Sequence, residues 1–378
     1  MKLSIFTFNI WGLKVGSKNR NARIQALPDC LTNNGYDVVC LQELWCEDDY
    51  QYLKESCKNV FKYIHYFHSG MIGSGMCIMS RYPIIEHHYH SFSLNGYLHM
   101  FWHGDWFAGK GIGLCRINVN GFIVDVYTTH LQACYDPSND KYTNHRIIQA
   151  FEIANLIRIT SAGSDLSVLA GDLNCDPNNI CYKLVCLVAN MIDSYSACLN
   201  NSIEYTFSHP QNSYKNANEI NRIDYILYKF NEKNLVVVNE HRHSLPHRVP
   251  GQNFSYSDHE PIEAVFEISV NTSSTERNIT KNSGIKLENE LFLNVLRSSL
   301  NMCNERNVIN PIPYWYLVIL PLCIVFMYTN TYTYPYINIF IASFIVFIMW
   351  IYNLVIKRTE QNCVRGFCHR IETLFSYQ

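Results

Sequence analysis

The chain has 378 residues, 48% apolar and 16% charged, with a formal net charge of −2. A balance so near neutral gives no basic footprint for a nucleic-acid partner, and a charged share below the roughly 25% of soluble domains points to apolar residues concentrated in particular segments. The cysteines stand singly inside apolar runs (Cys40, Cys77, Cys115, Cys134, Cys186) with no CxxC pair, which argues against a disulfide scaffold or a cysteine zinc module and for free thiols in a reducing compartment.

In chain order, KLSIFTFNIW alternates as a strand does and lacks the long apolar core and cleavage site of a signal peptide. The sequons at Asn200, Asn253, Asn271 and Asn278 are therefore expected to stay unused. Strands are predicted over 3–11, 37–44, 75–80, 113–119, 122–131, 166–174, 223–229 and 261–268. Helical spacing of apolar residues covers 20–34 and 143–160, and turn clusters stand at 136–140 and 176–179. The later strands do not alternate regularly with helices. That pattern predicts an α/β fold of sheets packed together with helices outside, not a doubly wound sheet. No internal repeat is visible.

Beyond residue 268 the composition changes. A polar linker and a weakly amphipathic juxtamembrane helix are expected over 269–312, followed by two apolar stretches at about 314–330 and 336–356. No charged residue occurs from Asn307 to Ile356, and Tyr and Trp flank the stretches as interfacial residues do. The second has about the 20 residues a bilayer span requires; the first is interrupted by Pro321. Lys357, Arg358, Arg365 and Arg370 follow, so the tail 357–378 is expected on the cytoplasmic side. A hairpin returns the chain to that side and places a catalytic domain, 1–268, there as well. The setting this implies is an internal membrane such as the endoplasmic reticulum.

The chemistry-bearing residues sit at or next to strand ends. Asn9 follows LSIFTF, Glu43 follows VVCLQ, His130 follows VYTT, and Asp172 and Asn174 follow SVLAG. Asp224 precedes YILY, and Asp258 and His259 precede EPIEAVF. If the strand ends lie together, several carboxylates and two histidines share one cleft, and a divalent cation is the natural compensator. Oxygen ligands favour Mg²⁺, Mn²⁺ or Ca²⁺ over zinc. Each signal taken alone has a plain reading: GDLN suits an Asx-capped turn, and a histidine after a strand is commonly structural.

The ordered set N-x-W, LQE, TTHL, GDLN, RIDY and SDHEP resembles the endonuclease/exonuclease/phosphatase superfamily over residues 1–268. The resemblance implies a deoxyribonuclease I-like four-layer α/β sandwich that hydrolyses phosphoesters with a divalent metal, Mg²⁺ or else Mn²⁺. It implies that Glu43 holds the metal with Asn9 beside it. Asn174 and His130 would contact the phosphate, which Asp172 helps orient. His259 would be the general base, aligned by Asp224, with Asp258 supporting the metal or the histidine.

The architecture, with a catalytic domain first and an apolar hairpin last, is similar to the membrane-bound animal neutral sphingomyelinase family, nearly end to end. HGDWFAGKG belongs to that likeness, and within it Asp105 and Lys110 match an Asp-x4-Lys pair proposed to position the site through a switching loop. From residues alone, the two pair with each other, bind a lipid phosphate, or form an ordinary surface salt bridge. The surrounding stretch 96–113, rich in aromatics and glycine, is either a buried strand and turn or a loop at the cleft mouth. The implied reaction is attack of water on the phosphodiester of sphingomyelin, giving ceramide and phosphocholine. A lysophospholipid such as lyso-platelet-activating factor shares the headgroup; a nuclease of the same fold and a tethered scaffold without catalysis are the alternatives. Oligomeric state is not legible.

Overall fold

The computed structural model describes residues 1–198, 205–216, 221–270, 293–301 and 358–376, with 290, 340, 344, 347 and 348 singly. The expected linker lies largely outside the described residues, as does almost all of the expected hairpin. Among the described residues, no helix is long and apolar enough to cross a membrane.

Two six-stranded sheets form the first of two compact units, Met1–Val295. One sheet has the order β11-β12-β1-β2-β4-β3, with β1 (Lys2–Asn9), β2 (Val38–Gln42), β3 (Tyr63–Tyr66), β4 (Cys77–Ser80), β11 (Asn234–His243) and β12 (Ile262–Val270). The other has the order β5-β6-β7-β8-β10-β9, with β5 (Ile84–Ser91), β6 (Gly111–Val119), β7 (Phe122–His130), β8 (Leu166–Asp172), β9 (Ile192–Asp193) and β10 (Asp224–Phe230). Strands β1 and β2 of the first sheet face β7 and β8 of the second. Helices α1 (Arg20–Asn33) and α2 (Glu47–Cys57) cover the outer face of the first sheet. Helix α3 (Thr143–Thr160) packs with α4 (Ile180–Ala189) and is tied to the second sheet by Tyr127 Oη–Thr160 Oγ1, 2.7 Å. The two-sheet sandwich with flanking helices is the architecture the sequence predicts.

The period of two sorts each central strand by face. In β1, Leu3 and Ile5 enter the core between the sheets, while Phe6 and Phe8 pack under the helices. In β2, Val38 and Cys40 point inward, and Val39 and Leu41 outward. Val124 and Val126 of β7, Leu166, Val168 and Ala170 of β8, and Ile226 of β10 complete the inner layer. Cys40, Cys77 and Cys115 are buried free thiols, as the apolar runs around them suggest.

The second unit is Leu296–Gln378. The tail predicted only as basic is in part a helix, α6 (Arg358–Ser376), numbered after a short α5 (Ser194–Ala197). Val364, Phe367 and Ile371 are its buried residues, at helical spacing.

Candidate active site

Followed further along each strand, the inner rows change from apolar to polar at one end of the sandwich. Ile5 is succeeded by Thr7 and Asn9, Cys40 by Gln42, Val126 by Thr128 and His130, and Ala170 by Asp172, while Asp224 begins the row that continues with Ile226. Gln42 bridges the sheets, donating from Nε2 to Thr7 Oγ1 (3.1 Å) and Thr128 Oγ1 (3.0 Å). This buried amide layer closes the apolar core and forms the floor of the site.

Register sets the second sheet's contribution. His130 pairs with Asp172, and Asp172 with Asp224, so three functional groups stand on three adjacent strands at one level. Gly171 permits it: a Cβ there would meet the Thr129 carbonyl oxygen at 2.2 Å, so β7 and β8 approach this closely only without one. That accounts for the glycine of GDLN. Asn174 follows in the left-handed region (φ 47°), a conformation asparagine tolerates. Its N–H donates to Asp172 Oδ1 (2.8 Å) and its Nδ2 to the Leu131 carbonyl (3.0 Å).

Glu43 departs from strand parity. Gln42 points inward, so the next residue of an extended strand would point out; instead Glu43 takes φ 60°. There its Oε1 accepts from Asn9 Nδ2 at 3.1 Å. A non-glycine residue held in this region is strained by about 1–3 kcal/mol, and such strain concentrates at functional sites. Asn9 Nδ2 also donates to Asp172 Oδ2 (3.0 Å), while its Oδ1 accepts from Trp11 N–H (3.0 Å). Asn9 thus bridges two carboxylates through its nitrogen; to ligate through oxygen, the amide would have to rotate.

The imidazoles complete the group. His259 Nδ1 lies 2.9 Å from Asp224 Oδ2 and its Nε2 3.9 Å from Asp172 Oδ2. His130 Nε2 lies 3.7 Å from Asp172 Oδ2 and 4.0 Å from Glu43 Oε1. The structure therefore brings together Asn9, Glu43, His130, Asp172, Asn174, Asp224 and His259. Asp258 is half-buried and near enough to Glu43 to raise its pKa.

The charges are unbalanced. Burial and then Asp258 push the Glu43 carboxyl above the usual range; burial and then Asp224 do the same to Asp172, and burial raises Asp258. Burial disfavours a charged His259, but Asp224, Asp172 and Asp258 outweigh it and hold the ring well above its ordinary pKa. His130 is driven well below, by burial and then by Lys110 and His259. Oxygen donors whose burial, and after it their mutual repulsion, resists ionisation fit a hard divalent cation. Glu43, with Asp258 and a rotated Asn9, could hold one at the open side, since the Glu43 side chain is 14% exposed against 1% for Asp172. Asp172, Asp224 and His259 form a second set of potential ligands, within 4.8 Å of one another.

Asp105 and Lys110 pair with each other. Their contact (Oδ1–Nζ, 2.9 Å) is buried, with side chains 5% and 3% exposed, which corrects the surface salt-bridge reading. Asp105 Oδ2 also accepts from Gln132 Nε2 (2.7 Å) and Tyr135 Oη (2.6 Å). Lys110 Nζ reaches the Leu131 carbonyl at 3.2 Å, next to His130. The buried-strand reading of 96–113 is likewise corrected for its aromatic part: Leu98–His103 is a 3-10 helix, and Phe101, Trp102 and Trp106 are 65%, 63% and 43% exposed.

Several positioning residues were not anticipated from sequence. Arg23 is fully buried and donates to the carbonyls of Ile10, Trp11 and Tyr256, tying the turn after Asn9 to the segment before Asp258. An arginine beside Ile24 and Leu27 in an apolar helical stripe was the available signal. Gln42 and Thr128 gave none, since a polar residue in a strand reads as its solvent face, and Gln132 lies just past a strand end, where a polar residue is ordinary.

The pattern of the endonuclease/exonuclease/phosphatase family matches residues 6–259. Over 274 residues, 71% of this chain, the sequence is 42% identical to a Drosophila melanogaster protein named putative neutral sphingomyelinase, of which 61% is covered. It is 38% identical to Homo sapiens sphingomyelin phosphodiesterase 2 over 237 residues, 61% of this chain and 56% of that protein. The chain thus spans about three fifths of the length of the relatives it matches, and the likeness is not nearly end to end. Among solved structures, a Staphylococcus aureus beta toxin mutant with bound magnesium ions aligns with TM-score 0.54 at 22% identity, covering 70% of this chain and 99% of that one. D. rerio TDP2 complexed with a single-strand DNA product aligns with TM-score 0.56 at 20% identity and the same coverage. Likeness at these identities concerns the fold alone, and a fold shared with a DNA-bound protein leaves the nucleic-acid question open. The site residues from Asn9 to His259 all lie within the matched stretch, and the chain belongs to the endonuclease/exonuclease/phosphatase family.

Proposed function

We propose that the chain is a membrane-anchored, Mg²⁺-dependent phosphodiesterase that hydrolyses sphingomyelin to ceramide and phosphocholine, with its site on the cytoplasmic face. The observation that carries this reading is the similarity to proteins named neutral sphingomyelinase and sphingomyelin phosphodiesterase over a stretch that contains the converged site. Anchoring rests on the charge-free segments at about 314–330 and 336–356, and an internal membrane is the proposed location. The exposed Phe101, Trp102 and Trp106 suit contact with a lipid surface beside the site.

A cation held by Glu43, with Asp258 and Asn9 beside it, would stabilise charge on the phosphoryl oxygens and offset the carboxylates around His259. The remaining roles fall to the chain. Asp224 Oδ2 accepts from His259 Nδ1–H and fixes the tautomer, which leaves Nε2 to take a proton from the attacking water. His130 is held neutral and donates to a non-bridging phosphate oxygen. Asn174, whose second amide hydrogen remains available beside the Leu131 contact, donates to another, and Asp172 holds Asn9 and Asn174 in place. Lys110, locked by Asp105, supports the Leu131 carbonyl between them.

The test is release of headgroup from labelled sphingomyelin by membrane fractions of cells expressing the full chain, with Mg²⁺ or with chelator. Release should require the cation and disappear in Glu43→Ala and His259→Ala without loss of folded protein. Undiminished release in chelator would refute the reading. Parallel arms with lyso-platelet-activating factor and plasmid DNA rank the alternatives; DNA turnover matching lipid turnover would favour a nuclease.

A further inference from the structure

Behind the catalytic segment lies a second group of donors to which the proposed phosphodiesterase chemistry assigns no role. Glu260, the residue after His259, is buried. Its Oε1 accepts from Asn212 Nδ2 at 2.9 Å, and its Oε2 lies 3.3 Å from His247 Nδ1. The rings of His209 and His247 stack, with centroids 4.6 Å apart and planes 11° from parallel. His209 Nδ1 accepts from Gln211 N–H (3.2 Å), so the neutral ring carries its proton on Nε2 and Nδ1 is the nitrogen with a lone pair to offer a cation. His243 stands edge-on to the His209 ring at 5.6 Å, and its buried Nε2 has no hydrogen-bond partner among the described residues. Two imidazoles thus stand within reach of a buried carboxylate, with the third ring beside them.

We propose that His209, His247 and Glu260 bind a transition-metal cation of the zinc class, at a site separate from the phosphoester cleft. One ligand atom from each already lies within 4.8 Å of the others. A tetrahedral zinc ion with bonds of about 2.0–2.2 Å needs its ligands closer and the in-plane lone pairs convergent, so one of the two half-buried, near-parallel imidazoles has to turn out of the stack on binding. Two nitrogens and one carboxylate suit Zn²⁺ and disfavour Mg²⁺ or Ca²⁺, which take oxygen. Asn212 fixes the carboxylate as an outer partner does in protein metal sites, and His243 stands beside His209 as a further imidazole.

The consequence is a clamp behind the general base. The segment around His209 already grips the 257–261 turn: Glu260 N–H donates to Thr206 O at 2.6 Å, and the Phe207 ring lies 5.0 Å from that of His259. A cation shared by His209, His247 and Glu260 fastens that segment and the 243–249 turn to the residue following His259.

The full chain, purified in detergent and stripped with chelator, would be titrated with Zn²⁺ and with Co²⁺ in excess Mg²⁺, then dialysed and analysed for metal. One equivalent of Zn²⁺ should be retained, and Co²⁺ should give visible d–d absorption. Both signals should be lost in a His209→Ala, His247→Ala double variant and weakened in Glu260→Gln, which keeps the acceptor for Asn212. The affinity loss in the double variant should exceed the roughly 10–100-fold that removal of an outer hydrogen bond costs. No retained zinc in the wild-type chain overturns the proposal, as does an equal equivalent in wild type and double variant. Because the readout is metal content, the outcome is independent of which phosphoester the neighbouring cleft accepts.

Discussion

Asp105→Leu tests whether the loop beside the site is locked by a buried charge pair. In the structure Asp105 accepts from Lys110, Gln132 and Tyr135 at 2.6–2.9 Å, with almost no exposure. Removing the carboxylate strands the Lys110 ammonium, which breaks a buried pair at a cost of about 3–5 kcal/mol; the same holds for Lys110→Met. In a domain of this size that corresponds to roughly 2–4 °C in Tm per kcal/mol. The double variant should be markedly less destabilised than the sum of the singles, because neither charge then lacks a partner. It should not return fully to wild type, since the buried Gln132 amide loses its acceptor at about 1–3 kcal/mol, whereas the half-exposed Tyr135 hydroxyl keeps the His103 carbonyl. The assay is thermal and urea unfolding of the full chain in detergent, followed by tryptophan fluorescence. Burial works against the Asp105 carboxylate, but Lys110, Tyr135 and Gln132 outweigh it and hold its pKa below the ordinary value. The pair's contribution is therefore complete above about pH 4 and fades as pH falls through the lower folded value. Strictly additive variants, or singles costing under about 1 kcal/mol as an exposed pair does, would refute the account.

Asp224→Asn should leave the fold intact and lower turnover by about 10²–10⁴-fold, since an amide in place of Oδ2 no longer fixes the His259 tautomer. Steady-state kinetics with a circular dichroism control check it. Gly171→Ala should destabilise by about 3 kcal/mol or more, because the new methyl meets a backbone carbonyl at 2.2 Å that no rotamer change can move; a loss under about 0.5 kcal/mol in urea would disprove that contact. Removing the cation with chelator should destabilise the protein at pH 7, by about 2.7 kcal/mol if the ion had stood at 100 times its Kd. The metal-free protein should then gain stability on acidification. Glu43, Asp172 and Asp258 have raised folded pKa values, so folding binds their protons more tightly, and the penalty grows as pH rises above about 4. His259, also raised, acts in the same sense from about pH 6.5 upward. Identical pH slopes with and without Mg²⁺ would count against a cation at these carboxylates.

The central strands were legible as short β-branched or aromatic runs, which suits strands buried on both faces, and α3 by apolar residues at helical spacing from Ile147 onward. What was not legible follows from edges and composition. Strand β5, IIEHHYHS, lies at a sheet edge with mostly exposed side chains, so no apolar row marks it. Helix α2 opens with Glu47, Asp48 and Asp49, which favour a helix N-terminus yet dilute the apolar stripe of Tyr50, Leu53 and Cys57. The strands β9 and β3 are too short for any period to register. For the site, motif order gave the members that the structure brings together. It gave neither the direction of Asn9, whose nitrogen faces the carboxylates, nor the burial of the Asp105–Lys110 pair, because both depend on packing across sheets.

The same packing explains why this end of the sandwich, and not the other, carries chemistry. An inner row that turns polar within a strand would normally leave buried groups without partners, at about 1–3 kcal/mol each. Here the first polar level satisfies itself across the sheets through Thr7, Gln42 and Thr128, which lets the next level carry titratable groups above a hydrogen-bonded floor. Asn9, His130, Asp172 and Asp224 occupy that level by strand parity alone, whereas Glu43 reaches it only through a strained backbone. Relief of that strain would send the Glu43 side chain back to the outer face, toward Leu41 and the helix layer. Glu43→Gly should accordingly stabilise the fold while removing a carboxylate from the cleft, and a stability gain coupled to loss of cation response would identify residue 43 as a position where stability is sacrificed for function.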